Sequence, residues 1–241
     1  MTTITTTLVI GATGATGRHV VQILLDRGQK VRTIVRSKER MEEILKGDFG
    51  DRLEISEASI LDLNMSELEE LTGGCDAVVS CFGHRGIWVH PHKLVTEAVT
   101  RLITSIGSRK TKFILMSASG VTNPNDKDYL RPFSERLVLF LLRNLIPPVA
   151  DNEAAAMYLH NLGKETAIEW CVIRPNDLID GEVSAYNLTP KPCFRLFGAG
   201  TSTRANVAHA MTQLILNDEE WEMWKFRMPV LNDAVNTNEG K

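Results

Sequence analysis

Along the first half of the chain, short runs of β-branched and other apolar residues alternate with segments whose apolar positions recur at helical spacing. This is the sequence form of repeated βαβ units and a parallel sheet covered on both faces. Residues 5–10 read as a first strand. Residues 15–27 carry Val20, Val21, Leu24 and Leu25 on one helix face, and Gly28 stands where that helix should end. Residues 30–35 read as a second strand. A helix over about 37–46 follows, with Ser37 as its N-cap, and 52–56 form a third strand. A short helix covers about 65–71. Residues 77–81 and 113–116 are continuous apolar runs suited to central parallel strands, separated by a helix over about 92–108. Residues 170–173, stopped by Arg174-Pro175, predict a sixth strand, and 225–229 a seventh.

The least regular stretch is about 121–151, where the turn signal Asn123-Pro124-Asn125-Asp126 precedes a Leu-rich helix and then Pro147-Pro148. The apolar run 137–142 lies between Arg136 and Arg143, far short of the roughly 20 residues needed to span a bilayer, and predicts a buried helix. Leu137, Phe140, Leu141 and Leu145 at helical spacing predict core packing or a subunit contact ahead of a substrate or lipid box. Asp151 is expected to cap a new helix at its own position. The expected fold is therefore α/β: a Rossmann-type doubly wound parallel sheet with helices on both faces. It forms a single domain over 1–241, with a small C-terminal substrate lobe. Residues about 121–151 and 177–204 would form its substrate side.

Composition narrows the partners. With 241 residues, 43% hydrophobic and 24% charged, the chain suits one soluble domain. Its net charge of -3 offers no clustered basic charge for nucleic acid or an anionic membrane surface. Cys75, Cys81, Cys171 and Cys193 show no metal-ligand pairing, and Cys81 and Cys171 sit in apolar runs like buried thiols. The N-terminus has neither a basic n-region nor a long apolar stretch, so a reducing cytoplasm is expected.

The strongest chemical signal is the run Gly11, Ala12, Thr13, Gly14, Ala15, Thr16, Gly17, which follows the first strand and opens the first helix. Gly11 suits the tight turn, Gly14 a close approach of backbone to a pyrophosphate, and Gly17 close packing of helix on strand. The helix N-terminus adds unpaired amides and a positive dipole. An acidic residue after the second strand would bind a ribose 2′-hydroxyl, but here the residue is Arg36, followed by Ser37, Lys38 and Arg40. That basic field favours a 2′-phosphate and hence NADP(H). The alternative has Arg36 stacking on adenine or reaching solvent, with Glu39 serving the ribose.

Taken with Ser80-Cys81-Phe82-Gly83, Met116-Ser117-Ala118-Ser119-Gly120, the segment from Arg174 to Gly181 and the segment 202–211, these motifs resemble the atypical short-chain dehydrogenase/reductases. The order of motifs resembles most the NmrA-like NAD(P)H-binding branch, similar in design to flavin and biliverdin reductases. The resemblance implies that Ser59 and Ile60 flank the adenine, although the family often has Asp where Ser59 stands. It implies that Cys81, Phe82 and Gly83 line the cofactor, that Ser117 lies beside the nicotinamide, and that Pro175, Asn176 and Leu178 approach its carboxamide. Phe82 and Leu178 are equally suited to the core, and Ser117 to a strand-end hydrogen bond.

Relatives with ordinary alcohol or carbonyl chemistry pair a tyrosine acid with a lysine four residues later. Here Tyr129, Tyr158 and Tyr186 are followed at that spacing by Phe133, Leu162 and Pro190. Two readings remain. One is a reductase passing hydride to a small planar acceptor such as a flavin or quinone, with a proton from solvent and Ser117 and Tyr158 as positioning groups. The other is an NADP(H)-sensing regulatory or protein-interaction protein without turnover. His84, His90 and His92 lack a carboxylate at helical spacing, so no metal is expected, and His84 is a candidate substrate contact. Trp88 is a candidate cap on the pocket, and the chain is expected to act as a monomer or homodimer on a small-molecule substrate.

Overall fold

Apolar residues in the central strands point alternately to two separate cores, one on each face of a single sheet. Val9, Val79, Ile114 and Cys171 enter one core, and Leu8, Val78, Phe113 and Trp170 enter the other. The computed structural model that shows this describes residues 4–84, 86, 93–125, 132–192 and 200–234. Its main elements are β1 (Thr6–Ile10), α1 (Gly17–Asp26), β2 (Lys30–Val35), α2 (Lys38–Ile44), β3 (Leu53–Glu57), α3 (Met65–Thr72), β4 (Ala77–Ser80), α4 (Leu94–Ile106) and β5 (Thr111–Met116). They continue with α5 (Phe133–Leu145), α6 (Pro147–Leu162), β6 (Ile168–Pro175), β7 (Asp177–Ile179), β8 (Tyr186–Thr189), β9 (Thr201–Thr203), α7 (Arg204–Leu216), α8 (Asp218–Trp224) and β10 (Val230–Asp233).

The large sheet has the order β3-β2-β1-β4-β5-β6-β10-β8, parallel except for β8, which runs antiparallel to β10 at the edge. The fold is the Rossmann-like α/β single domain expected. The chain winds outward from β1 to β3, then returns to the other side of β1 with β4, so a crevice opens beyond the carboxyl ends of these two strands. α1, α7 and α8 cover one face, and α3, α4 and α6 the other. β7 and β9 form a separate two-stranded parallel sheet.

Three expectations need correction. The final strand lies at Val230–Asp233, not at 225–229. Asn217 accepts from the Glu219 and Glu220 amides and starts α8, whose buried Trp221 and Trp224 carry the helix to the edge of the predicted strand. Phe226 then takes a positive φ of 59°, and Pro229 has no N–H to donate. Second, Pro147-Pro148 open α6 at its first positions, where their missing amides cost nothing, so Asp151 sits inside that helix and does not cap it. Third, α5 is not a buried helix. Leu139 and Glu135 are its buried side chains, whereas Leu137, Phe140, Leu141 and Leu145 are 45–61% exposed. The helix packs beside α6, outside both cores, and its apolar stripe is wider than that contact.

Candidate functional site

β1 ends in a turn that only glycine fits. Gly11 has φ of +77°, and a Cβ built on it would stand 2.6 Å from the Cys81 carbonyl oxygen at the end of β4. Gly17 is constrained by proximity alone, since its Cβ would lie 2.2 Å from the Gly11 oxygen. The loop is thus pressed against β4 and α1, and Gly14 closes it by donating its amide to Gly11 O at 2.9 Å.

Of the helices that start without a side-chain cap, α1, α5 and α6, it is α1 whose start lines the crevice. α2, α3, α7 and α8 each start with a side chain, Ser37, Asn64, Thr203 and Asn217, that accepts from a first-turn amide. α1 has no such cap at Thr16 and no acidic residue in its first turn. The Arg18 and His19 amides are taken up by Gly14 O at 3.1 Å and Thr16 O at 3.0 Å, so what the helix end brings to the crevice is its positive dipole beside the glycine loop, an arrangement suited to a diphosphate.

The crevice is a cleft of about 660 Å³, within the range of small-molecule sites. Thr13, Gly14, Ala15 and Thr16 of the loop line it together with Gly11. Toward β2 and β3 the walls are Arg36, Arg40, Ser59, Ile60 and Asp62. Toward β4 to β7 they are Cys81, Phe82, Gly83, His84, Leu94, Met116, Leu178 and Arg204. Ala12 and Gly17 lie beneath this surface, Ala12 fully buried, as supports. Ser37 is also off the wall, its hydroxyl accepting from the Arg40 amide at 3.1 Å.

Several expected contacts stand behind the cleft. Ser117 follows Met116, is 8% exposed, and its hydroxyl is buried with no partner among the described residues. Pro175 and Asn176 are one layer back. Asn176 donates its side-chain amide to Asn232 Oδ1 at 2.6 Å, and its backbone amide to Ser202 Oγ at 2.9 Å. Tyr158 is half-buried against the α3/α4/α6 core and does not line the cleft. It lies seven residues beyond Asp151, whose carboxylate touches His84 of the cleft wall, or about 10 Å further along α6. Trp88, His90, His92, Tyr129 and Cys193 lie outside the described residues.

Three further residues at or behind the cleft were not singled out as site residues from the sequence. Arg204 opens α7 and reaches the cleft while pairing with Asp180 at 2.9 Å. Asp62 joins the wall beside Ser59. Buried Arg174 donates to the carbonyls of Met228, Val121 and Pro190, and so braces the segments behind Leu178. Burial pushes the Cys81 thiol up to about 12, so at the cleft wall it is a neutral thiol and not a nucleophile. Among the described residues no group of three or more His, Cys, Asp or Glu side chains could hold a metal, and no helix is long and apolar enough to cross a membrane.

Such a loop, helix end and cleft at the point where strand order reverses define a dinucleotide-binding protein of the Rossmann type. Residues 11–218 match the model of a family described as NAD(P)H-binding, and the chain belongs to that family. Divinyl chlorophyllide a 8-vinyl-reductase of Arabidopsis thaliana is 31% identical over 125 residues. That match takes in 48% of this chain and 30% of the plant protein, so the chain corresponds to less than a third of that relative's length. Among solved structures, a candidate NADH-flavin reductase from Streptococcus pneumoniae superposes with TM-score 0.69 at 18% identity, over 95% of this chain and all of the other. The anaerobilin reductase of Escherichia coli O157:H7 superposes with TM-score 0.69 at 15% identity, over 96% and 98% of the two chains. At these identities the likeness establishes a shared fold.

Proposed function

We propose that the protein is an NADPH-dependent reductase that passes hydride to a small planar acceptor of the flavin or quinone class. The observation that carries this reading is a single continuous cleft with Arg36 and Arg40 at one end, the uncapped start of α1 at its middle, and His84, Met116 and Leu178 at the other. A nicotinamide cofactor fits these residues: Gly11 and Gly17 let the loop lie tight against β4 and the start of α1, and the dipole at that helix start favours an anion in the cleft. When bound, the cofactor supplies the hydride.

The chain's own residues then have separate tasks. Gly11, Thr13, Gly14, Ala15 and Thr16 hold the diphosphate, supported by Ala12 and Gly17. Arg36, with Arg40 beside it and Ser37 securing the turn, selects the 2′-phosphate, while Ser59 and Ile60 take the adenine. Cys81, Phe82 and Gly83 form an apolar wall against the nicotinamide end. Pro175, Asn176 and Leu178 set the depth there, and Ser117 offers the buried hydroxyl nearest Met116. Segments 121–151 and 177–204 shape the acceptor side. Free thiols at Cys75, Cys81 and Cys171 suit a reducing compartment such as the cytoplasm.

Calorimetry with NADPH and NADH, on the wild type and Arg36→Ala, tests the cofactor assignment. One charge-assisted hydrogen bond contributes about 1.5–3 kcal/mol, so the variant should lose roughly ten- to a hundred-fold in NADPH affinity and little in NADH affinity. Equal affinities of the wild type for both nucleotides would refute it. NADPH oxidation with a panel of flavins and quinones tests turnover. The exposed apolar face of α5 favours the second reading, an NADP(H) sensor acting through a partner, and tight NADPH binding with no oxidation would select it.

A further inference from the structure

At the acceptor end of the cleft a buried histidine and a buried aspartate from distant parts of the chain meet. His84 follows β4 and lines the cleft, and its Nε2 lies 2.7 Å from Asp151 Oδ2 of α6. Their side chains are 5% and 0% exposed. Asp151 Oδ2 also accepts from the Val95 amide at 2.7 Å, and its Oδ1 accepts from the Thr96 amide at 3.0 Å and Thr96 Oγ1 at 2.6 Å. Backbone amides can only donate, so this carboxylate is held as an acceptor at the start of α4, and His84 meets it with an Nε2–H. Nδ1 has no hydrogen-bond partner among the described residues. With Nε2 engaged by the carboxylate, Nδ1 is the ring nitrogen left over on a residue that lines the cleft.

Position decides which end of a bound dinucleotide this pair would meet. α6 connects β5 to β6, whereas Arg36 follows β2 on the opposite side of β1. The imidazole therefore lies in the half of the cleft away from Arg36, with Met116 and Leu178.

From this geometry, and resting on the reductase reading above, we propose that His84 is the proton donor to the acceptor and Asp151 the residue that positions it. The missing Tyr-x-x-x-Lys acid is thereby replaced from a different part of the fold. In the step, the acceptor gains a hydride from bound NADPH and a proton from His84 Nδ1. The imidazolium N–H bond breaks, an O–H or N–H bond forms on the acceptor, and the acceptor is reduced by two electrons while NADPH becomes NADP+. The neutral imidazole recovers its proton from water. Acceptors whose reduced form must carry a new proton, quinones above all, are the class served.

The test compares wild type, His84→Gln and His84→Asn, with NADPH as donor and menadione and FMN as probe acceptors. Glutamine keeps an N–H for Asp151 but has no titrating proton. General acid catalysis contributes about 10²–10⁴-fold, so kcat with menadione should fall at least a hundred-fold in both variants, with NADPH affinity within about twofold of wild type. The wild-type kcat should decline with the deprotonation of one group as pH rises, and His84→Gln should lack that decline. Charged groups that bear on this pH profile are Asp151 from α6, Lys93 and Glu97 at the start of α4 and, along the cleft wall, Arg36, Arg40, Asp62 and Arg204.

A readout independent of turnover is the long-range ¹H–¹⁵N spectrum of the histidine rings in the protein without nucleotide. The neutral ring of His84 should carry its proton on Nε2, and Asp151→Asn should lose this tautomer bias and shift the wild-type pH profile. A ring protonated at Nδ1 when neutral overturns the proposal. So does a His84→Gln variant that turns over menadione within threefold of wild type, and in that case the reductase reading stands. Wild type that binds NADPH but oxidises it with neither probe overturns both.

Discussion

Gly11 and Gly28 share nearly one backbone conformation, with φ of +77° and +76°, yet their surroundings differ completely. Around a Cβ on Gly28 there is nothing within 4 Å, whereas a Cβ on Gly11 meets the Cys81 carbonyl oxygen at 2.6 Å, its carbon at 2.7 Å and the Phe82 nitrogen at 2.9 Å. Alanine at either site is strained in the left-handed region by roughly 1–2 kcal/mol. Gly28→Ala should show that strain alone. Gly11→Ala must also displace backbone held by the Cys81 amide's bond to Ile10 O at 2.9 Å, an overpacking cost of about 1–3 kcal/mol more. The gap between the variants should appear as roughly 2–12 °C in melting temperature for a chain of this size. Calorimetry with NADPH supplies the second axis. Gly11→Ala moves the loop that carries the diphosphate contacts and should weaken binding at least tenfold, while Gly28→Ala, at the far end of α1, leaves affinity unchanged. Equal melting temperatures for the two variants would refute the steric argument, and full NADPH affinity in Gly11→Ala would refute the placement of the diphosphate.

Two further outcomes follow from burial. Buried Leu139 and exposed Phe140 are neighbours on α5, so Leu139→Ala should cost about 2–4 kcal/mol in urea unfolding and Phe140→Ser less than about 0.5 kcal/mol, with similar costs refuting the assigned orientation of the helix. Burial raises the thiols of Cys81, to about 12, and of Cys171 above their ordinary value, so both should resist alkylation at mildly alkaline pH in the native protein and react in denaturant, as read by mass mapping. In linkage terms, their preference for the protonated fold is fully present below the ordinary thiol pKa. It is lost as pH rises above it, because the unfolded chain then ionises first.

Much of the architecture is local and could be read directly. Strand periodicity of two and helix periodicity of 3.6 are set by neighbouring residues, so β1 through β5 and the helices between them fall within a few residues of expectation. The glycine loop and Arg36 were legible for the same reason, since a turn, a helix start and the residue after a strand lie within one short segment. Ser37 as the cap of α2 is another such case.

What the sequence could not decide depends on groups far apart in the chain. α5 carries a pattern that predicts burial, but whether an apolar stripe is covered depends on what packs against it, and here most of it is not. Tyr158 fell two turns of α6 away from the cleft once Pro147 proved to start that helix. Asp151 caps α4 and holds His84 across 67 residues of sequence, a juxtaposition made by helix packing on one face of the sheet. Local patterning thus determined the order of strands and helices and the loop that would take a diphosphate. Only the tertiary structure decided which ionisable side chains share a cleft, because hydrogen bonds between them form after the sheet and its helices have brought remote segments together.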